Sequence, residues 1–272
     1  SGQPSAKEVF DTTPYTILVV DDNPDMTDFL KRTFEGYFKR IIIAGDGGEA
    51  LQLVRSHVPD IIVSDVMMPR MNGYKLCKTI KENINISHIP VILLTARDDR
   101  QSQISGYKNG ADGYLSKPFE VEMLMELIRN RLKNREYTKK RYLNAGLIPT
   151  PEESTISLTD ETFLIKLNSI IQENIENSNL GIQFICQEVG LGRSSLYNKL
   201  KALTGMGANE YISKLRIEKA ITLISGTDMP FSEIAEKTGF TTPSYFSTAF
   251  KQYTGETPSQ YKERKKKGLA GK

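Results

Sequence analysis

Between Tyr15 and Leu132 the sequence carries five short apolar runs that do not alternate with polar residues: Thr16-Ile-Leu-Val-Val20, Ile41-Ile-Ile-Ala44, Ile61-Ile-Val-Ser64, Val91-Ile-Leu-Leu-Thr95 and Gly113-Tyr-Leu-Ser116. A strand with one face in water alternates. Unbroken apolarity calls for burial on both faces, and a sheet covered by helices on both faces is a parallel one. The segments between the runs have helical period, as in Met26, Phe29 and Leu30 after Pro24, and Val121, Leu124, Leu127 and Ile128 after the fifth run. The predicted fold is an α/β doubly wound (βα)5 domain of flavodoxin-like type.

That pattern stops well before the end of a 272-residue chain, which is long enough for two domains. From Asn134 to Asp160 periodicity is lost among Lys139-Lys-Arg141, Pro149, Pro151 and Glu152-Glu153, which reads as a linker. Beyond it every segment has helix period, with Ile217, Ala220, Ile221 and Ile224 keeping one face apolar, so a separate all-α domain is expected. The expected division is an N-terminal linker at 1–14, the α/β domain at 15–133, a linker at 134–160, the helical domain at 161–266 and a tail at 267–272.

Charge sharpens the division. The net +3 is uninformative, but residues 1–135 hold 18 basic and 18 acidic side chains, whereas residues 180–272 hold 14 and 8. The basic excess lies in the last third. The two cysteines, Cys77 and Cys186, fall in segments read as different helices, which favours a reducing compartment over a disulfide framework. No apolar run approaches the ~20 residues needed to cross a bilayer, and a soluble, cytoplasmic piece without membrane contact is expected. The Ser1-Gly2 start and the polar run to Pro14 fit a fragment excised from a larger parent.

In an open parallel sheet, chemistry collects outside the carboxyl ends of the strands. Strand 1 ends in Asp21-Asp22, strand 3 in Asp65, strand 4 in Thr95 and strand 5 in Lys117-Pro118. Three carboxylates brought together repel one another unless a divalent cation neutralises them, and a hard oxygen donor set suits Mg²⁺. A lysine ammonium and a threonine hydroxyl would complete a cradle for phosphoryl oxygens, and an aspartate beside Mg²⁺ can be the nucleophile that forms an acyl phosphate. Taken singly, these features also have bland readings: Asp21-Asp22 before Asn23-Pro24 as a helix cap, Lys117-Pro118 as a turn, Thr95 as a strand-end filler.

Order and spacing separate the readings. With Met68-Pro69-Arg70-Met71-Asn72-Gly73 following Asp65 and Thr95-Ala96 thirty residues on, residues 15–133 resemble the response-regulator receiver family. The resemblance implies that Asp65 accepts a phosphoryl group from a histidine kinase. It implies a metal held by Asp22, Asp65, the backbone carbonyl of Met67 and, through water, Asp21. It also implies phosphoryl contacts from Thr95 and Lys117, a cis Lys117-Pro118 bond, and an aromatic switch at Tyr114, whose inward turn on phosphorylation reshapes a dimerising surface of the fourth helix, fifth strand and fifth helix. Haloacid-dehalogenase-type phosphatases share the strand-end aspartate, but they need a second acid two residues later, where this chain has Met67. No enzyme of turnover and no catalytic residue is expected. Met67 and Arg97, flanking the site, offer no carboxylate or amide to orient water, so a slowly hydrolysing acyl phosphate is expected.

The helical domain repeats one design. Ile182–Gly190 leads into Leu191–Gly205, and Phe231–Gly239 leads into Phe240–Gly255, each a helix, a glycine turn and a helix. This is the layout of a helix-turn-helix. Two copies separated by a helix from about Ala208 to Ser225, with Ile234-Ala235, Gly239-Phe240, Ser244-Tyr245-Phe246, Phe250-Lys251, Thr257-Pro258 and Tyr261, look like the AraC family of transcription activators over residues 165–264. Groove-facing candidates are Arg193, Ser194, Tyr197, Asn198 and Lys201 in the first unit, and Thr242, Ser244, Tyr245, Thr248 and Lys251 in the second. Arg193 suits guanine, Asn198 adenine, and the lysines phosphates. Phe246, Phe250 and Tyr253 are expected to form the buried stripe of the second recognition helix. The run Lys262-Glu-Arg-Lys-Lys-Lys267 reads as a solvated tail or a set of phosphate contacts.

Together the halves predict a phosphorylation-dependent regulator that binds double-stranded DNA, homodimerises when phosphorylated, and forms the C-terminal part of a hybrid two-component protein whose kinase precedes it in a membrane-anchored parent. The alternative is an interaction module that docks on a kinase or phosphotransfer partner without binding DNA.

Overall fold

The computed structural model describes residues 9–96, 110–145 and 157–270. They fall into two compact units that part near Thr138 and again at Asp160.

The first unit is built on five strands, β1 (Thr16–Val20), β2 (Arg40–Ala44), β3 (Ile61–Asp65), β4 (Val91–Ala96) and β5 (Gly113–Lys117), with helices α1 (Pro24–Phe34), α2 (Gly47–His57), α3 (Gly73–Glu82) and α4 (Val121–Ala145). All strand pairs are parallel and the order is β2-β1-β3-β4-β5. The helix expected between β4 and β5 lies outside the described residues, as does Arg97.

Consecutive residues of each central strand enter opposite layers. Leu18, Ile62 and Leu93 pack with Val54, Leu76 and Ile80 of α2 and α3, whereas Ile17, Val19, Val63 and Leu94 pack with Leu30 and Phe34 of α1 and Leu124 and Ile128 of α4. Both faces are dry, which is why the strand sequences do not alternate. Helix starts are capped by the side chains of Asn23, Asp46 and Asn72, each accepting backbone N–H groups of the first turn.

The stretch expected to be linker from residue 134 is helical as far as Ala145. Its polar composition hid a helix that needs no apolar face of its own. Arg135 instead donates to the carbonyl of Asp60 at 3.1 Å and pairs with its carboxylate at 3.5 Å, next to the start of β1, where Thr16 N–H donates to the same side chain. Pro149, Pro151 and Glu152-Glu153 lie outside the described residues.

The second unit is helical throughout its described residues: α5 (Leu158–Glu173), α6 (Ile182–Val189), α7 (Arg193–Thr204), α8 (Ala208–Gly226), α9 (Phe231–Lys237), α10 (Pro243–Thr254) and α11 (Pro258–Ala270). Ile217, Ala220 and Ile224 of α8 meet Ile234 and Ala235 of α9 and a chain of rings, Phe240, Phe246, Phe250 and Tyr261, whose successive centroids stand 5.4, 5.7 and 5.5 Å apart. These tilted and edge-on contacts are the favoured aromatic geometry.

A further expectation needs correction. Tyr253 is not part of the buried stripe: it is 39% exposed and its hydroxyl donates to Glu218 at 3.2 Å, because a phenol at this edge has a polar end to satisfy. Tyr261, from α11, supplies the ring that closes the core. The basic run 262–267, expected as a solvated tail or a set of phosphate contacts, is exposed from residue 263 on but lies within α11, and Lys262 and Arg264 pair with Asp228 and Glu256 of the same unit.

Candidate functional site

The loops that follow β1, β3 and β5 converge at one end of the sheet. Oxygens of Asp21, Asp22 and Asp65 all lie within 4.8 Å of one another. Asp21 and Asp65 are buried and Asp22 is exposed, so the group forms a recess with one open side. Lys117 reaches into it from the end of β5, with its Nζ 2.7 Å from Asp65 Oδ1 and 2.9 Å from Asp21 Oδ2. Backbone donors fix the remaining oxygens: Asn23 N–H donates to Asp21 Oδ1 at 2.9 Å and Met67 N–H to Asp65 Oδ2 at 3.0 Å.

The Lys117 ammonium pairs with two of the three carboxylates. Burial, with a contribution from Asp21, raises the Asp65 carboxyl above the usual aspartate range even though Lys117 and the Met67 N–H oppose the shift. Burial alone would lower the Lys117 ammonium, but its bonds to Asp65 and Asp21 outweigh that and hold it above its ordinary value. The lysine is therefore a fixed charge, and the recess retains excess negative charge that a hard cation would relieve.

Thr95, at the end of β4, is fully buried, and its hydroxyl has no hydrogen-bond partner among the described residues. A buried hydroxyl without a partner is rare and costly, so this one is suited to donate to a ligand oxygen. The all-oxygen carboxylate set and the waiting hydroxyl together fit a divalent cation with a phosphoryl group. Tyr114 lies on β5 opposite Leu93, half-buried against the α2–α3 layer with its hydroxyl shielded from solvent. Met67 is 71% exposed on the loop beyond Asp65. The Lys117-Pro118 bond is cis.

Three supporting residues were not singled out by sequence reasoning. Ser64 donates to the Asp65 carbonyl at 2.8 Å, and Arg70, in the left-handed region with φ 62°, pairs with Asp46. Asp46 caps α2 by accepting from Gly48 N–H at 2.6 Å and Glu49 N–H at 3.1 Å. The Glu49 N–H, helped by that of Gly48 and by Arg70, holds the Asp46 carboxyl below the usual range against the effect of burial. The loop that carries the Asp65 neighbourhood is thus tied to the start of α2. The Asp46-Gly-Gly-Glu49 cap was the available signal.

In the helical unit, α6 ends at Gly190 in the left-handed conformation, with φ 74° and ψ 32°, before α7. The second copy turns at Gly239, φ 72°, before α10, whose start is capped by Thr242 accepting from Tyr245 N–H. Both are helix-turn-helix units. Arg193, Ser194, Tyr197 and Lys201 are exposed on α7, with Asn198 half-buried. Thr242, Ser244, Tyr245, Thr248 and Lys251 are all exposed at the start of α10 and along it. The Thr242 oxygen is already engaged as a cap and Thr248 donates to the Ser244 carbonyl, which leaves Arg193, Tyr245 and Lys251 with the longest free reach.

The sequence matches the response regulator receiver domain over residues 17–129 and a helix-turn-helix domain over residues 185–264. It is 41% identical over 249 residues to histidine kinase P4 of Formosa agariphila, a match covering 92% of this chain and 18% of that protein. It is 36% identical over 165 residues to response regulator MprA of Mycobacterium sp. strain KMS, covering 56% of this chain and 70% of the relative. Among solved structures, the receiver domain of a Francisella response regulator is 38% identical, with 44% of this chain and 98% of that one covered and a TM-score of 0.41. The chain spans less than a fifth of the length of the kinase and about half the length of other curated response regulators that it matches. Among the described residues no helix is long and apolar enough to cross a membrane.

Proposed function

Since the chain belongs to the response-regulator family, joining a receiver domain to an AraC-type helix-turn-helix domain, we propose that it switches DNA binding through phosphorylation of Asp65. The receiver is assigned to residues 15–133 and the DNA-binding domain to 161–266. The observation that carries the reading is the recess itself: a buried strand-end carboxylate, 2.7 Å from a lysine and beside two further carboxylates, with a threonine hydroxyl at the end of the adjoining strand that has no partner among the described residues.

Asp65 attacks the phosphorus of a kinase phosphohistidine, so that an O–P bond forms as the N–P bond breaks, and the histidine leaves as neutral imidazole. Lys117 is already seated against Asp65 and needs only to shift its hydrogen bonds to meet a phosphoryl oxygen. The Thr95 hydroxyl gains the acceptor it lacks by donating to another. Mg²⁺, held by Asp21, Asp22, Asp65 and the Met67 carbonyl, would supply charge neutralisation for the incoming group. Movement of Thr95 is coupled to Tyr114, on the neighbouring strand. No acid stands two residues after Asp65, so the acyl phosphate is a signal rather than a step of turnover.

Phosphorylated receivers then pair, and pairing raises the effective concentration of the second DNA-binding domain at its site. Arg193, Asn198 and the exposed residues of α10 read base edges, while Lys201 and Lys251 meet phosphates. The chain is read as the C-terminal part of a hybrid protein with a membrane-anchored sensor and this part in the cytosol; the similarity to a histidine kinase over nearly the whole of this chain supports its belonging to a longer kinase-bearing protein. The test is selection of bound duplexes from a random pool with and without a small-molecule phosphodonor, followed by affinity and sedimentation measurements. Phosphorylation is expected to raise both affinity and the dimer fraction, and binding is expected to weaken steeply with salt. An Asp65→Asn protein that dimerises and binds as tightly as phosphorylated wild type would overturn the reading.

A further inference from the structure

DNA reading uses the outward faces of α7 and α10 and leaves open what holds one helix at a fixed distance from the other. α8 runs between the two helix-turn-helix units, and one of its side chains joins the turn that precedes the first unit to the turn of the second. The half-buried Arg216 donates from Nη2 to the carbonyl of Asn177 at 2.7 Å, in the turn that leads from α5 into α6. Its guanidinium carbon also stands 6.0 Å from the centre of the Phe240 ring, in the turn of the second unit.

A third element closes on the same point. A Cβ at Gly239 would lie 2.2 Å from the Ile175 carbonyl oxygen and 2.8 Å from Arg216 Nη2, so the end of α5, the middle of α8 and the second turn approach as closely as backbone allows. Three residues farther along α8, Lys219 donates to Glu176 at 3.1 Å, on the same side. From Phe240 the contact continues into α10, with Tyr245 and Phe246 at centroid distances of 5.8 and 5.4 Å. A line of touching groups thus runs from the turn before α6 through Arg216 and Phe240 to the first turns of the second recognition helix. A guanidinium can hold a carbonyl with one arm while its carbon stays within cation–π range of the ring, whereas a lysine's compact ammonium would keep the charge without making both contacts at once.

Resting on the DNA-binding reading above, we propose that Arg216 is a positioning residue that sets the separation of the two recognition helices, and with it the number of base pairs between the two segments the domain accepts. The test uses the whole chain and a duplex enriched from the random pool by wild type, together with versions carrying one base pair more or one fewer between the two contacted segments. Anisotropy gives the affinity ratio between original and altered spacing. Wild type is expected to discriminate by about tenfold or more, the scale of one mismatched base pair. Arg216→Ala and Arg216→Lys are expected to discriminate less than about threefold while the circular dichroism of the chain is retained. If Arg216→Ala does not fold, Arg216→Lys decides. A folded Arg216→Lys protein with the wild-type spacing ratio overturns the inference, whereas a wild type that enriches no duplex overturns the DNA-binding reading itself.

Discussion

Gly73 opens α3 immediately behind Asp65, the proposed phosphoacceptor, and replacing it with alanine tests whether the placement of Asp65 is as tightly constrained as its surroundings imply. A Cβ there would lie 2.2 Å from the Asp65 carbonyl oxygen and 3.0 Å from the Val66 Cα, both backbone atoms that no side-chain rotation can clear. Relief needs a shift of about 1 Å to restore van der Waals contact. Val66 N–H to Leu94 O at 3.0 Å, Gly73 N–H to Val66 O at 3.0 Å and Ser64 Oγ to Asp65 O at 2.8 Å tether this backbone, so relief of the clash strains the bonds that place Asp65 and the loop beyond it. Overpacking of this kind costs about 1–3 kcal/mol, which for a domain of this size lowers the melting temperature by roughly 3–15 °C. A misplacement of about 1 Å at a reacting group also slows chemistry by up to about a hundredfold. Calorimetry of the receiver transition and the initial rate of acyl phosphate formation from a small-molecule donor measure the two effects. Gly45→Ala is the control, because its Cβ would meet only the Glu49 carboxylate at 3.6 Å. A Gly73→Ala protein that melts and phosphorylates like Gly45→Ala would refute this constraint on Asp65.

Magnesium at ten times its dissociation constant is expected to stabilise the receiver by about 1.4 kcal/mol, and Asp22→Asn should abolish most of that gain; an equal gain from sodium chloride at matched ionic strength would show that the recess binds no specific cation. Thr95→Val removes a buried hydroxyl without a partner among the described residues, so the unmodified domain should be as stable as wild type or up to about 1 kcal/mol more stable, while the phosphodonor no longer raises DNA affinity; a marked loss of stability in thermal melts would show that the hydroxyl already has a partner. Asp46→Ala should cost about 1 kcal/mol at neutral pH through loss of the α2 cap. Because the folded Asp46 carboxyl lies below its unfolded value, its contribution is present above the ordinary aspartate range and disappears as the pH falls through the folded value. Denaturant titrations that find the same wild-type advantage in strong acid as at neutral pH would contradict this.

The sheet could be read from the chain because each strand is buried on both sides, and unbroken runs such as Ile61-Ile-Val have no other economical home. The recess was legible for a related reason: in a parallel sheet every strand ends at the same rim, so Asp21, Asp65, Thr95 and Lys117 had to be neighbours once the strands were placed. Less visible were features that depend on polar side chains meeting at a distance in sequence. The C-terminal half of α4 has no apolar stripe and is marked only by Arg135 reaching Asp60, seventy-five residues away. Tyr253 has the spacing of a core residue, and only the presence of Glu218 on another helix explains why its ring lies at the edge. Arg216 sits in an ordinary helical pattern, and nothing local announces the carbonyl of Asn177.

The row of rings from Phe240 to Tyr261 separates α10 into two halves subject to different selection. Truncating Phe246 or Phe250, both fully buried, would cost about 3–5 kcal/mol, a large part of the stability of so small a domain. Exchanges at Ser244, Thr248 or Lys251 on the opposite side cost within about 0.5 kcal/mol. On the proposed reading, in which the outward half meets DNA, a duplicated copy could exchange residues of that half for a new target promoter by single substitutions without first passing through an unstable ancestor.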